Sequence, residues 1–109
     1  MYTVKKTLEI SAAHNLRYSY NNQCENMHGH NYVITVYCRS ETLNKDGMVV
    51  DFNEIKELVH AKLSHSYLNE VLGFNPTAEN IAKWVCDTVP HCYKVTVQET
   101  QSNEATYER

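Results

Sequence analysis

The sequence predicts an α+β domain: a four-stranded antiparallel sheet with two helices on one face, in the order β-β-α-α-β-β. Three observations predict it. Apolar and polar residues alternate over 2–12 and again over 93–99, the mark of strands with one buried face. Apolar residues recur at helical spacing after Asp51 and after Thr77. The strands fall into a leading pair and a closing pair, and each pair can form antiparallel neighbours with the helices between them in sequence.

Taken in order, residues 2–12 put Tyr2, Val4, Leu8, Ile10 and Ala12 on one parity, with Lys6 the single break, and Thr3, Lys5, Thr7, Glu9 and Ser11 on the other. Residues 15–27, rich in Asn, Ser and Tyr, read as a loop. A second strand spans 30–39 through Tyr32, Val33, Ile34, Val36, Tyr37 and Cys38. Asn44-Lys45-Asp46-Gly47 is a turn, followed by a short extended piece at Met48-Val49-Val50. Asp51 is an N-cap residue with Glu54 three places on, as in a capping box, and Ile55, Leu58, Val59 and Leu63 follow on one helical stripe. Gly73-Phe74-Asn75-Pro76 breaks the chain, and Thr77 caps a second helix with Ile81, Trp84, Val85 and Thr88 on one side. Pro90 ends it. The third strand is 93–99, Gln101-Ser102-Asn103 turns, and 104–108 returns as a fourth strand.

At 109 residues, with 42% hydrophobic, 10% aromatic and 21% charged residues, the chain has the composition of one globular domain spanning 1–109. A domain this small buries about two-thirds of its unfolded surface, which favours association with further copies. A net charge of −3 and no basic run argue against nucleic-acid binding. No stretch approaches the roughly 20 apolar residues of a membrane span, and no apolar leader precedes the first strand, so the expected location is the cytoplasm. In that reducing compartment Cys24, Cys38, Cys86 and Cys92 are expected as free thiols, and no CxxC pair suggests a redox or zinc module.

Three histidines stand out. His28 and His30 are two apart at the start of a strand, so both face the same way. His14 lies just past the first strand with the parity of its buried face, and pairing of the two strands brings it near the others. Three imidazoles without a nearby fourth ligand are the donor set of a catalytic zinc with one open position. The plainer alternative is a chance HxH beside a loop histidine. Cys24, four residues before His28, is open to three readings: a fourth ligand closing a structural site, a nucleophile or base whose thiolate the metal favours, or an ordinary loop thiol. Cys38, Cys86 and Cys92 read as packing residues.

Glu99 shares the parity of Tyr93, Val95 and Val97, so it either points inward and needs a strong partner, such as a ligand with several N–H donors, or curls out to water at the strand end. His65 closes the first helix, as a dipole partner or as a general acid or base. His60 and His91 have no companions and read as surface residues.

These residues together resemble the 6-pyruvoyltetrahydropterin synthase family. The resemblance is carried by Ala12-Ala13-His14, Cys24 four residues before His28-Gly29-His30, Val50-Asp51-Phe52, and the His65-Ser66-Tyr67-Leu68-Asn69 segment. Asn75-Pro76-Thr77-Ala78-Glu79-Asn80 and Val97-Gln98-Glu99-Thr100 complete it. It runs from about Leu8 to Tyr107 and is nearest to the short bacterial 6-carboxytetrahydropterin synthases of queuosine biosynthesis.

The resemblance implies a tunnelling fold in which three subunits close a twelve-stranded barrel and two trimers stack, with active sites between subunits. It implies zinc (Zn2+) on His14, His28 and His30, Cys24 as the base, His65 as a second acid/base group, and Glu99 holding the 2-amino and N3 positions of a pterin. The implied substrate is 7,8-dihydroneopterin triphosphate. The implied products are 6-carboxytetrahydropterin, acetaldehyde and triphosphate, or, in the sister branch, a pyruvoyl product with its side chain whole. A third branch carries glutamate in place of the cysteine, and Cys24 argues against it. One departure matters: the family usually has aspartate directly before the histidine aligned with His65, and this chain has Ser64. A serine can orient the ring but supplies no charge. That leaves three possibilities: a slower enzyme (at the extreme, a weakly active paralogue that binds zinc or pterin), another carboxylate in its place, or a different substrate.

Overall fold

The computed structural model describes the backbone of residues 1–18, 23–24 and 26–109, and the side chains of 1–16 and 26–109. The long first strand β1 (Tyr2–His14) is followed by two short ones, β2 (Arg17–Tyr18) and β3 (Gln23–Cys24), which pair with each other. Then comes β4 (His28–Ser40), antiparallel to β1 from Tyr2 opposite Ser40 to His14 opposite His28. Both long strands run two residues past the alternating pattern at the histidine end. His14, His28 and Gly29 continue the ladder without continuing the apolar alternation, which is why the pattern stops short of them. The β2–β3 ladder is too short to have a period, so the sequence reads it as loop.

Helix α1 (Phe52–Leu63) begins at Asp51, whose carboxylate accepts from the Asn53 N–H at 2.8 Å. The bond goes to the second helical N–H rather than to that of Glu54, so the observed motif is a single cap, a feature contributing about 1 kcal/mol. A one-turn helix α2 (Leu68–Val71), too brief to show a stripe, precedes α3 (Ala78–Thr88). Thr77 caps α3 through its hydroxyl, which accepts from Asn80 N–H at 3.1 Å, and the helix ends before Pro90, where the residue preceding proline is pushed out of the helical region. β5 (Cys92–Thr100) and β6 (Asn103–Glu108) close the chain. Met48-Val49-Val50 joins no strand, yet Val49 and Val50 are buried as a lid on the core.

The strands form one sheet, ordered β1-β4-β5-β6, because β4 pairs with β5 as well as with β1. The inward parity carries Leu8, Ile10 and Ala12, then Tyr32, Ile34 and Val36, then Val95 and Val97, all buried. Ile55, Val59 and Leu63 of α1 and Ile81, Ala82 and Val85 of α3 are buried in the same core, so both helices cover this one face. The other face exposes Thr7, Glu9 and Ser11. β1 and β6 each have one neighbour in the sheet, leaving two open edges. At the histidine end the α1–α2 connection is tied to β1: His65 N–H donates to Ser11 O at 2.7 Å and Ala13 N–H to Ser66 O at 2.9 Å. Among the described residues no helix is long and apolar enough to cross a membrane.

Candidate metal centre and active site

The antiparallel register builds the histidine cluster. His14 sits directly opposite His28, and Ala12 opposite His30, so the three imidazoles share the inward face at one end of the sheet. Each offers a ring nitrogen, and these atoms lie within 4.8 Å of one another. His14 is fully buried, the only buried polar residue among those described. Tyr32, two residues after His30 on the same face, packs its ring edge-on to both, with centroids 5.8 Å from His14 and 5.4 Å from His30.

Hydrogen bonds behind the rings fix which nitrogen faces inward. His14 Nδ1 lies 2.9 Å from the carbonyl oxygen of Pro76 and 3.0 Å from Tyr32 Oη. A carbonyl only accepts, so Nδ1 carries the proton and Nε2 presents a lone pair when the ring is neutral. His28 Nδ1 lies 2.9 Å from Asn26 O, with the same consequence. The two Nε2 atoms then face each other at 3.0 Å. Two lone pairs that close repel, and a cation among them or a proton on one ring relieves the repulsion. Donors on a tetrahedral ion at about 2.0–2.1 Å sit about 3.4 Å apart, close to the spacing found here. The residues therefore fit a divalent metal of the kind imidazoles favour. The carbonyls of Pro76 and Asn26 are the outer partners that orient metal-binding histidines.

Glu99 ends at the same place. Val33 pairs with Gln98, so Glu99 lies one step further toward the histidine end, on the inward parity of Val95 and Val97. It does not curl out to water: its side chain is 23% exposed, and Oε1 lies 3.1 Å from His14 Nε2 and 3.6 Å from His30 Nε2. Glu99 also lines a cleft of about 490 Å³ with Leu16, Thr77, Glu79, Asn103 and Glu104. Glu79, in the first turn of α3, and Glu104 of β6 are further carboxylates on this cleft; the sequence places Glu79 in the segment that opens the helix and assigns it no role. From the sequence Tyr32 is only a residue of the second strand, although a tyrosine two places after an HxH on a buried face signals a hydroxyl needing a polar partner.

His65 stands apart. It is exposed, and it lines a different cleft with Ser11, Gly29, His30 and Asn31. Its φ of 53° is in the left-handed region, a sparsely populated conformation held by the Ser11 and Ser66 backbone bonds. Ser64 caps α1 through its N–H, which donates to His60 O at 3.0 Å. Within one chain, then, His14, His28, His30 and Glu99 come together, and His65 does not join them. The side chain of Cys24 lies outside the described residues; its backbone pairs with Arg17. Cys38, Cys86 and Cys92 are free, buried thiols, as read from sequence. Burial pushes Cys86 up to about 11, and the hydrogen bond shared with Cys38, then burial, push Cys92 up as well, which keeps both protonated at neutral pH.

Comparison with known proteins bears on the whole arrangement. The family model described as 6-pyruvoyl tetrahydropterin synthase matches residues 3–109. A 6-carboxy-5,6,7,8-tetrahydropterin synthase of Bacillus subtilis is 30% identical, with 97% of this chain and 84% of the relative covered. A protein of the same name from a Synechocystis species is 36% identical over 98% of this chain and 93% of its own length. Among solved structures, the 6-pyruvoyl tetrahydropterin synthase of Caenorhabditis elegans superposes with a TM-score of 0.77 at 31% identity, covering 99% of this chain and 95% of that one. The tunnelling fold and the resemblance drawn from the motifs agree with these matches, and the chain belongs to the 6-pyruvoyl tetrahydropterin synthase family.

Proposed function

We propose that this protein is a zinc-dependent lyase of queuosine biosynthesis in the cytoplasm. In this reading it converts 7,8-dihydroneopterin triphosphate to 6-carboxy-5,6,7,8-tetrahydropterin, with release of acetaldehyde and triphosphate. The observation that carries the reading is the convergence of His14, His28 and His30, the first two held from behind by carbonyls, beside a cleft that bears carboxylates. The names of the two nearly full-length bacterial relatives favour the carboxy product. When bound, the metal supplies a Lewis acid for the oxygens of the substrate side chain.

The remaining roles fall to the chain's own groups. Cys24 takes the proton from the side-chain carbon next to the ring, which needs a base of matched pKa. Glu99, with Glu79 on the same cleft wall, offers carboxylates to the 2-amino and N3–H donors of the ring, a charge-assisted pairing that fixes orientation. His65 serves as the second acid/base group. In its own chain it lines a cleft that reaches His30 but not the one that Glu99 lines, so in this reading it acts across a subunit boundary, in a trimer or a dimer of trimers joined through the open β1 and β6 edges. Ser64 leaves that imidazole without the usual aspartate, which predicts a lower rate than in relatives that have it.

The test is product identification. Zinc-loaded protein is incubated with 7,8-dihydroneopterin triphosphate, and pterins and acetaldehyde are measured by mass spectrometry. Carboxytetrahydropterin with an equivalent of acetaldehyde supports the proposal. A pyruvoyl product without acetaldehyde assigns the sister reaction instead. Absence of turnover, with activity appearing in Ser64→Asp, would show a binding protein that has lost its catalytic partner.

A further inference from the structure

Glu99 lies too close to the metal-facing nitrogens to be only a ring anchor. Its Oε1 is 3.1 Å from His14 Nε2 and 3.6 Å from His30 Nε2, and His14 Nε2 is 3.0 Å from His28 Nε2. These separations straddle the roughly 3.4 Å expected between donors on one tetrahedral ion. The acceptor chemistry agrees: Pro76 O accepts from His14 Nδ1–H, so a neutral His14 turns a lone pair, not an N–H, toward the carboxylate. With His14 neutral no N–H bridges this 3.1 Å contact, and a cation shared by the carboxylate and the imidazole nitrogens is what would hold them together. One carboxylate cannot at once touch this nitrogen cluster and the far edge of a bicyclic ring whose side chain occupies the cluster.

We propose that Glu99 is an exchangeable fourth metal ligand. It closes the coordination shell while the cleft is free of substrate and gives up that position when substrate oxygens arrive, which releases its carboxylate to the ring. The inference rests on the metal reading of the three histidines. It makes Glu99 a sensor of occupancy, since one carboxylate reports to the metal in one state and to the ring in the other.

The test measures zinc affinity of the full-length protein by competition with a chromophoric chelator. Glu99→Gln keeps the shape and removes the charge; it should weaken zinc binding about tenfold or more, the scale set by groups that support a metal site. Glu104→Gln, on the same cleft but away from the nitrogens, should stay within about twofold of wild type. His28→Ala should lose far more than Glu99→Gln. Wild-type affinity in Glu99→Gln together with loss in His28→Ala overturns the fourth-ligand role and leaves the histidine site standing. Wild-type affinity in His28→Ala overturns both. A second readout, the visible spectrum of the cobalt(II)-loaded protein, should differ between wild type and Glu99→Gln without ligand and converge when neopterin is added. Spectra that coincide without ligand also refute the proposal.

Discussion

Replacing His28 with alanine separates the cost of the metal-free cluster from the gain of the filled one. In the metal-free protein the substitution removes the 3.0 Å contact between two facing Nε2 atoms, which is a relief. It also removes the bond from His28 Nδ1–H to Asn26 O, which is exposed and worth about 1 kcal/mol or less. The two nearly cancel, so metal-free stability should change by no more than about 1 kcal/mol. With metal the balance differs. A ligand that binds only the native state at a hundredfold excess over its Kd adds about 2.7 kcal/mol, and for a domain of this size 1 kcal/mol moves Tm by about 4–8 °C. Wild type should therefore gain about 10–20 °C on zinc addition, and His28→Ala less than about half of that. Calorimetry at one fixed chain concentration, with and without zinc, measures both numbers. An undiminished zinc shift in the variant would refute the ligand assignment. A loss of more than about 3 kcal/mol without metal would show that His28 is a packing element.

Two further substitutions test the acid/base groups. Cys24→Ala should keep zinc and lose turnover at least a hundredfold, the usual share of a positioned base; loss of zinc would instead mark Cys24 as a structural ligand. His65→Gly should also lose at least a hundredfold in rate while stability stays within about 1 kcal/mol, because glycine adopts a φ of 53° without strain. His65→Val at that φ should cost about 1–2 kcal/mol more, and wild-type turnover in His65→Gly would remove the histidine from the reaction.

The strands were legible because one face is buried and the period of two survives along most of each. Val95, Val97 and Glu99 keep a single parity. The helices were legible from Asp51, Thr77 and their stripes. What escaped was short or set by pairing. Neither the two-residue β2 and β3 nor the one-turn α2 has enough residues to show a period. The strand order β1-β4-β5-β6 within the expected four-stranded sheet depends on β4 meeting β5, a contact between residues more than sixty apart such as Val33 and Gln98. At the site, the HxH spacing and the parity of His14 foretold the cluster, since strand geometry turns spacing directly into direction. The carbonyl of Pro76 behind His14 could not be read, because it arrives from the loop before α3 and carries no side-chain signal. For Glu99 the parity allowed an inward carboxylate or one curled out to water, and its approach to two imidazoles depends on the β4–β5 register.

The central claim is a three-histidine metal site with no sulfur ligand, and X-ray absorption at the zinc edge of the loaded protein tests it most directly. The account predicts a first shell of nitrogen and oxygen only, at about 2.0–2.1 Å, with the multiple scattering of three imidazoles. A sulfur scatterer at about 2.3 Å would place Cys24 on the metal and contradict it, since the centre would then be a closed structural site.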